Sequence, residues 1–205
     1  MDLVSLPFVA VLVSDVHTGE TLKHFTLAPG EVAVADRGYA HCQGMSAAVQ
    51  QGADLIVRLN PFSVVLRDAV GAPVELCAAL KRQHTETLRT LAVALCATGG
   101  QHEVRGWVHA YRLNAEQTHR ARQKGRQGHK KGTPTAESLL LAGWVLVFTT
   151  LALAVLSAQT ILALYRCRWQ VEIARKRWKS VLNVDALRAK ATSPLAEVWL
   201  HGKLL

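Results

Sequence analysis

No CxxC pair and no clustered Cys/His set occurs in this 205-residue chain, whose cysteines Cys42, Cys77, Cys96 and Cys167 are widely spaced. The spacing excludes a zinc-ribbon site and a disulfide framework, and predicts four buried, reduced thiols in a cytoplasmic protein. Acids are also scarce. There are 15 Asp and Glu against 24 Lys and Arg, a net charge of +9 and a pI near 9.8. A compact chain this basic meets something anionic, such as nucleic acid or a membrane surface. Charged residues make up only 19% of the chain while half of it is hydrophobic, which excludes wholesale disorder. The length suits one domain or two small ones, and no internal repeat is present. The opening Met1-Asp-Leu-Val-Ser-Leu-Pro-Phe has no basic segment ahead of its apolar residues and does not read as a signal peptide.

What the chain does have is one long uncharged run, from Ser138 to Tyr165. A stretch of about 20 apolar residues is long enough to cross a bilayer. Its interior, Trp144-Val-Leu-Val-Phe-Thr-Thr150, is instead β-branched and aromatic, the composition of a buried strand. Ser157 then offers an N-cap for a helix that runs on through charged residues past Arg168. A strand, a connection and a helix start account for the run without a membrane.

The first sixty residues alternate strand and helix. Strands are expected at Phe8–Asp15, Glu31–Asp36 and Asp54–Asn60, with a helix over Ser46–Gln51 closed by Gly52. That pattern predicts an α/β sheet. The middle is β-rich, with strands at Ser63–Arg67, Leu88–Cys96 and Val104–Leu113 separated by glycine breaks. Arg112–Lys131 then holds seven Lys and Arg against the single Glu116, with Gly125, Gly128 and Gly132 interspersed. It reads as a flexible loop or frayed helix, either a solvated surface loop or a phosphate-contacting arm, and spacing selects neither. One long helix is expected from Ser157 to about Leu182, and another opening at Ser193-Pro194.

Tyr165, Arg168, Glu172 and Lys179 are spaced three, four and seven apart, so on that helix they fall within roughly 60° of arc. A second stripe, Leu164, Cys167, Val171, Ala174, Trp178 and Val181, lies roughly 100° away and predicts the packed face. A surface helix with salt-bridged charges would look the same. Asp36 adds weight. It ends an apolar strand, ahead of Arg37-Gly38-Tyr39, and the C-terminal ends of strands are where open α/β sheets bind ligands. It equally suits an Asp capping the next turn. A carboxylate there and another on a packed helix could share a divalent metal, since hard cations take oxygen ligands. Two such ions clamp an in-line phosphoryl transfer.

Tyr165-(2)-Arg168-(3)-Glu172-(6)-Lys179, the core Arg168-Trp169-Gln170-Val171-Glu172 and the box Asp36-Arg37-Gly38-Tyr39 together resemble the Tyr-Arg-Glu-Lys signature group of insertion-sequence DDE transposases. Ser14-Asp15 through Gly19-Glu20 is similar to an upstream segment of that family. The resemblance implies a ribonuclease-H-like mixed sheet with a β-rich insertion before the helix bearing the Glu. On this chain that means core at 1–60, insertion with its basic loop at 61–143, and core again at 144–205. It implies that Asp36 and Glu172 are the second and third acids of the catalytic triad and hold Mg²⁺ or Mn²⁺. It also implies that Tyr165, Arg168 and Lys179 contact phosphates of double-stranded DNA, and that the protein is a homodimeric, cytoplasmic, nucleoid-associated transposase. Trp169, beside them, could stack on an unpaired base, although burial is the commoner fate of a Trp. The triad's first Asp belongs on an earlier strand, and the spacing from Asp15 to Asp36 leaves no room for it. The chain is therefore expected to lack the fold's first strands and to be inactive alone. Competing readings are a non-catalytic DNA-binding remnant and a membrane-associated protein.

Overall fold

The computed structural model describes residues 19–81, 87–96, 102–128, 134–182, 193–195, 198, 199 and 202. The expected strand at 8–15 and most of the helix after Ser193 lie outside the described residues. Six strands form one sheet: β1 (Val32–Ala35), β2 (Asp54–Arg58), β3 (Val65–Arg67), β4 (Leu88–Cys96), β5 (Glu103–Arg112) and β6 (Trp144–Thr149), in the order β1-β2-β6-β5-β4-β3. β1 and β2 are parallel, joined through helix α1 (Cys42–Gln50), and every other pairing is antiparallel. The three strands from the 61–143 segment continue this same sheet, because β5 pairs with β6 along Trp107–Arg112.

Alternation along the strands sorts their residues to two faces. Ala35, Leu55, Val57, Val108, Leu146 and Phe148 point to one face and pack with Met45 and Ala48 of α1 and with α2 (Leu76–Lys81). Val34, Ile56, Val145 and Val147 point to the other, where α5 (Ala158–Cys167) lays Ile161, Leu162 and Tyr165 against them. α5 thus lies over β1, β2 and β6. The uncharged run resolves as α4 (Ala136–Leu141), β6 and the start of α5, with Ser157 Oγ accepting from Thr160 N at 3.2 Å as the expected N-cap. Among the described residues no helix is long and apolar enough to cross a membrane.

Four expectations need correction and one is narrowed. Of the two forms expected for the 112–131 segment, loop or frayed helix, the helix is found: α3 (Ala115–Gly128) takes up most of its described residues. It starts with a reciprocal cap, Gln117 N donating to Asn114 Oδ1 at 2.8 Å and Asn114 N to Gln117 Oε1 at 3.4 Å, and Glu116 pairs with Arg120 one turn on. The helix after Ser157 is interrupted once, at Arg168, and continues as α6 (Trp169–Leu182). There Arg168 N donates to Tyr165 O and Val171 N to Arg168 O, so the winding tightens for one turn without leaving helical backbone angles. Its packed stripe is also different. Ile161, Leu162 and Tyr165 are buried, whereas Cys167 and Val171 are exposed and Val181 is 75% exposed. On α5 the side that meets the sheet is therefore the one that carries Tyr165, with Leu164 half-buried at its margin. Finally, only Cys42 and Cys96 of the four thiols are buried, Cys77 is half-buried, and all four are free. The first helix also begins at Cys42, with His41 Nδ1 accepting from Gly44 N, rather than at Ser46.

Candidate active site

Asp36 follows β1 by one residue, and two-residue alternation from Val34 turns it toward α5. It is the N-cap residue of the 3₁₀ turn Arg37–Tyr39, its backbone carbonyl accepting from Tyr39 N at 3.0 Å, and the turn beyond Arg37 does not claim its side chain. The carboxylate instead meets the helix. Tyr165 donates its hydroxyl to Asp36 Oδ1 at 3.2 Å, and Arg168 Nη1 lies 3.6 Å from Asp36 Oδ2. The same guanidinium donates Nη2 to Glu172 Oε1 at 2.8 Å. Asp36 and Glu172, 136 residues apart in sequence, thus converge on one cation.

Local sequence explains the convergence. Ile161 and Leu162 anchor α5 to the sheet, and Tyr165 lies three and four residues on, over the end of β1. Arg168 and Glu172 extend the same face at steps of three and four. On the sheet side, the Asp36-Arg37-Gly38-Tyr39 box lies against the Gly19-Glu20 segment, the exposed Glu20 side chain reaching over Gly38. A Cβ there would land in the carboxylate of Glu20, and His41 Nε2 is 2.9 Å from Glu20 O.

The electrostatics fit a permanently charged cluster. Burial pushes the Asp36 carboxyl up, but the Arg37 backbone amide, Arg168, the Tyr165 hydroxyl and Arg58 together outweigh it, and the pKa lies below the ordinary value. Burial and the Asp36 charge raise the Tyr165 phenol, which stays a protonated donor. Burial, the largest single influence, would lower Arg168, but its bond to Glu172 together with Tyr165 and the Asp36 charge outweighs it and the pKa is raised. Arg58 was not anticipated from the sequence. Its place two residues after Ile56 on β2 puts it on the same face as Asp36, which is the signal that could have found it.

Trp169 is 55% exposed, contrary to the burial expected for it. Lys179 lies on α6 two turns beyond Glu172, and its side chain is outside the described residues. Two hard, anionic oxygen donors held at one point suit a divalent cation such as Mg²⁺ in chemistry and charge. Among the described residues no group of three or more His, Cys, Asp or Glu is placed to hold one. On the other face of the sheet, a cavity of about 540 Å³ between α2, α3 and α4 is lined by Lys81, Arg112, His119, Arg122 and Trp144 and by no acid.

Asp36 at a strand end and Glu172 on a helix face of a mixed α/β fold thus meet on one guanidinium. The transposase DDE domain family matches residues 2–204, and the chain belongs to that family. It is 30% identical over 198 residues to the putative transposase InsL for insertion sequence element IS186A of Escherichia coli (strain K12), covering 94% of this chain and 53% of that protein. It matches the transposase for insertion sequence element IS421 of Escherichia coli at the same identity and coverage. The transposase for insertion sequence element IS231F of Bacillus thuringiensis subsp. israelensis is 25% identical over 195 residues, 88% of this chain and 41% of that protein. The chain therefore spans about half the length, or less, of the curated relatives it matches.

Proposed function

We propose that this chain is the catalytic-fold segment of a cut-and-paste DNA transposase of the Tyr-Arg-Glu-Lys group, acting by metal-dependent phosphoryl transfer on double-stranded DNA at transposon ends and target. The observation that carries the reading is the meeting of Asp36 and Glu172 on Arg168. In this reading Asp36 and Glu172 hold Mg²⁺ or Mn²⁺, which activates the attacking oxygen and stabilises the leaving 3′ oxygen when bound. Tyr165, Arg168 and Lys179 offer one neutral and two charged donors to backbone phosphates. Exposed Trp169 provides an aromatic face for an unpaired base. The basic residues of α3, Arg120, Arg122, Lys124 and Arg126, offer further donors to backbone phosphate. The core is ribonuclease-H-like, interrupted by a β-rich insertion over 61–143, and the protein works as a homodimer in the cytoplasm, on the nucleoid.

The test is binding and cleavage by the 205-residue chain. Duplex DNA should bind without sequence preference, log K falling against log salt by about 0.9 per neutralised phosphate. Affinity indifferent to salt would refute the DNA contact. Mn²⁺ should bind weakly, and Asp36→Asn or Glu172→Gln should abolish that binding. Two acids leave coordination positions to water and misplace the reacting groups, so strand cleavage by this chain alone should be undetectable. Metal-dependent nicking abolished by Glu172→Gln would show that a further acid, such as Asp15 outside the described residues, completes the site.

A further inference from the structure

Arg168 is committed twice over. Its side chain is 19% exposed, its Nη1 and Nη2 face Asp36 and Glu172, and its Nε is buried without a hydrogen-bond partner. The planar fork can span two carboxylates at once, which a lysine ammonium cannot do with the same geometry. The oxygens a shared divalent cation would take are therefore the ones this guanidinium already holds. Without it, two carboxylates brought to one place would repel each other. Arg168 is also the residue at which α5 tightens into α6, so a small torsional change there re-aims its own side chain relative to Glu172 one turn later.

We infer that Arg168 is the resident counter-cation of the acid pair. It keeps Asp36 and Glu172 together and competes with a divalent cation for them, and it becomes available to a DNA phosphate only after it has left them. This rests on the reading of Asp36 and Glu172 as metal ligands. It adds an order of events to that reading: the guanidinium serves the acids or a phosphate, not both. Metal binding and phosphate binding are then coupled, because seating the cation frees the donor that the phosphate needs.

Mn²⁺ titration of the 205-residue chain, followed by electron paramagnetic resonance, tests this with Arg168→Gln and Arg168→Lys, folding being checked by circular dichroism. The Gln variant should bind Mn²⁺ about tenfold more tightly than the parent, the scale of removing one charge-assisted competitor. The Lys variant, charged but unable to span both acids, should fall between. In the unmutated chain, the Arg168 Nε–H resonance, assigned by its loss in the Lys variant, should shift as Mg²⁺ is added. That measurement decides the matter if the Gln variant fails to fold. Mn²⁺ binding that depends on Asp36 and Glu172, but is unchanged or weakened by Arg168→Gln with the Nε–H signal unmoved, overturns the counter-cation role and leaves the metal site standing. Mn²⁺ binding that is absent from every variant, or indifferent to Asp36→Asn, overturns the metal site and this inference with it.

Discussion

Replacing Tyr165 with Phe removes one oxygen and leaves the ring. The ring is buried against Ile56 and Val147, so the apolar contribution is unchanged and the difference isolates the hydroxyl–Asp36 bond. Hydrogen bonds to a charged partner contribute about 1.5–3 kcal/mol when well formed. This one is long at 3.2 Å, and the Asp36 side chain is 40% exposed, so solvent competes and screens. Together these reduce the expected loss to about 0.5–1 kcal/mol at neutral pH. The pH dependence carries the sharper information. The Asp36 pKa is lowered on folding, so its stabilisation is fully present above the unfolded value of 3.8 and is lost as pH falls through the lower folded value. Urea unfolding of the parent, Tyr165→Phe, Asp36→Asn and the double variant, at pH 7 and again below pH 3.8, closes a double-mutant cycle. A coupling near 0.5–1 kcal/mol at neutral pH that shrinks in acid is expected. An equal cost of Tyr165→Phe with and without the Asp36 carboxylate would mean that the hydroxyl does not stabilise that charge.

Further expectations follow from packing and exposure. Ile161→Ala, at a fully buried position between α5 and the sheet, should lower unfolding stability by about 2–5 kcal/mol by denaturant titration, and should weaken Mn²⁺ binding because α5 carries Tyr165 and Arg168. A cost below about 1 kcal/mol would show that α5 is not docked as described. Gly106→Ala would drive a Cβ onto the Thr149 carbonyl and to 2.7 Å from Phe148 Cζ, so a loss of about 1–3 kcal/mol or more is expected, and a neutral result would place β5 farther from β6. The Cys42 thiol is pushed up to about 11 by burial, with Cys96 adding to the shift, so a thiol reagent at pH 8 should label exposed Cys167 first and Cys42 only on unfolding. Early labelling of Cys42 would contradict its burial.

Much of this fold was legible because its signals are local. β-branched runs located all six described strands to within a residue or two, with β4 at Leu88–Cys96 as expected. Ser157 announced α5, because an N-cap acts through atoms three residues apart. The Asn114–Gln117 cap was equally local evidence for α3, and the glycines and lysines around it obscured it. The spacing of Tyr165, Arg168 and Glu172 was likewise enough to put them on one face of a helix, since helical periodicity is a property of the chain alone.

Which face of that helix meets the sheet was beyond local information. From Leu164 the stripe runs on through Cys167, Val171 and Val181, as regular as any that packs, yet those three are exposed and Ile161, Leu162 and Tyr165 are the residues buried. The choice depends on what β1, β2 and β6 present together: Val34, Ile56 and Val147 make the apolar floor, and Asp36 at its edge supplies a charge that only the Tyr165–Arg168 side of the helix can answer. The role of Arg58 and the double commitment of Arg168 were hidden for the same reason. A sequence specifies the order of side chains along each element, whereas the field at Asp36 sums over groups from separate strands and from the helix, which only folding brings within a few ångströms.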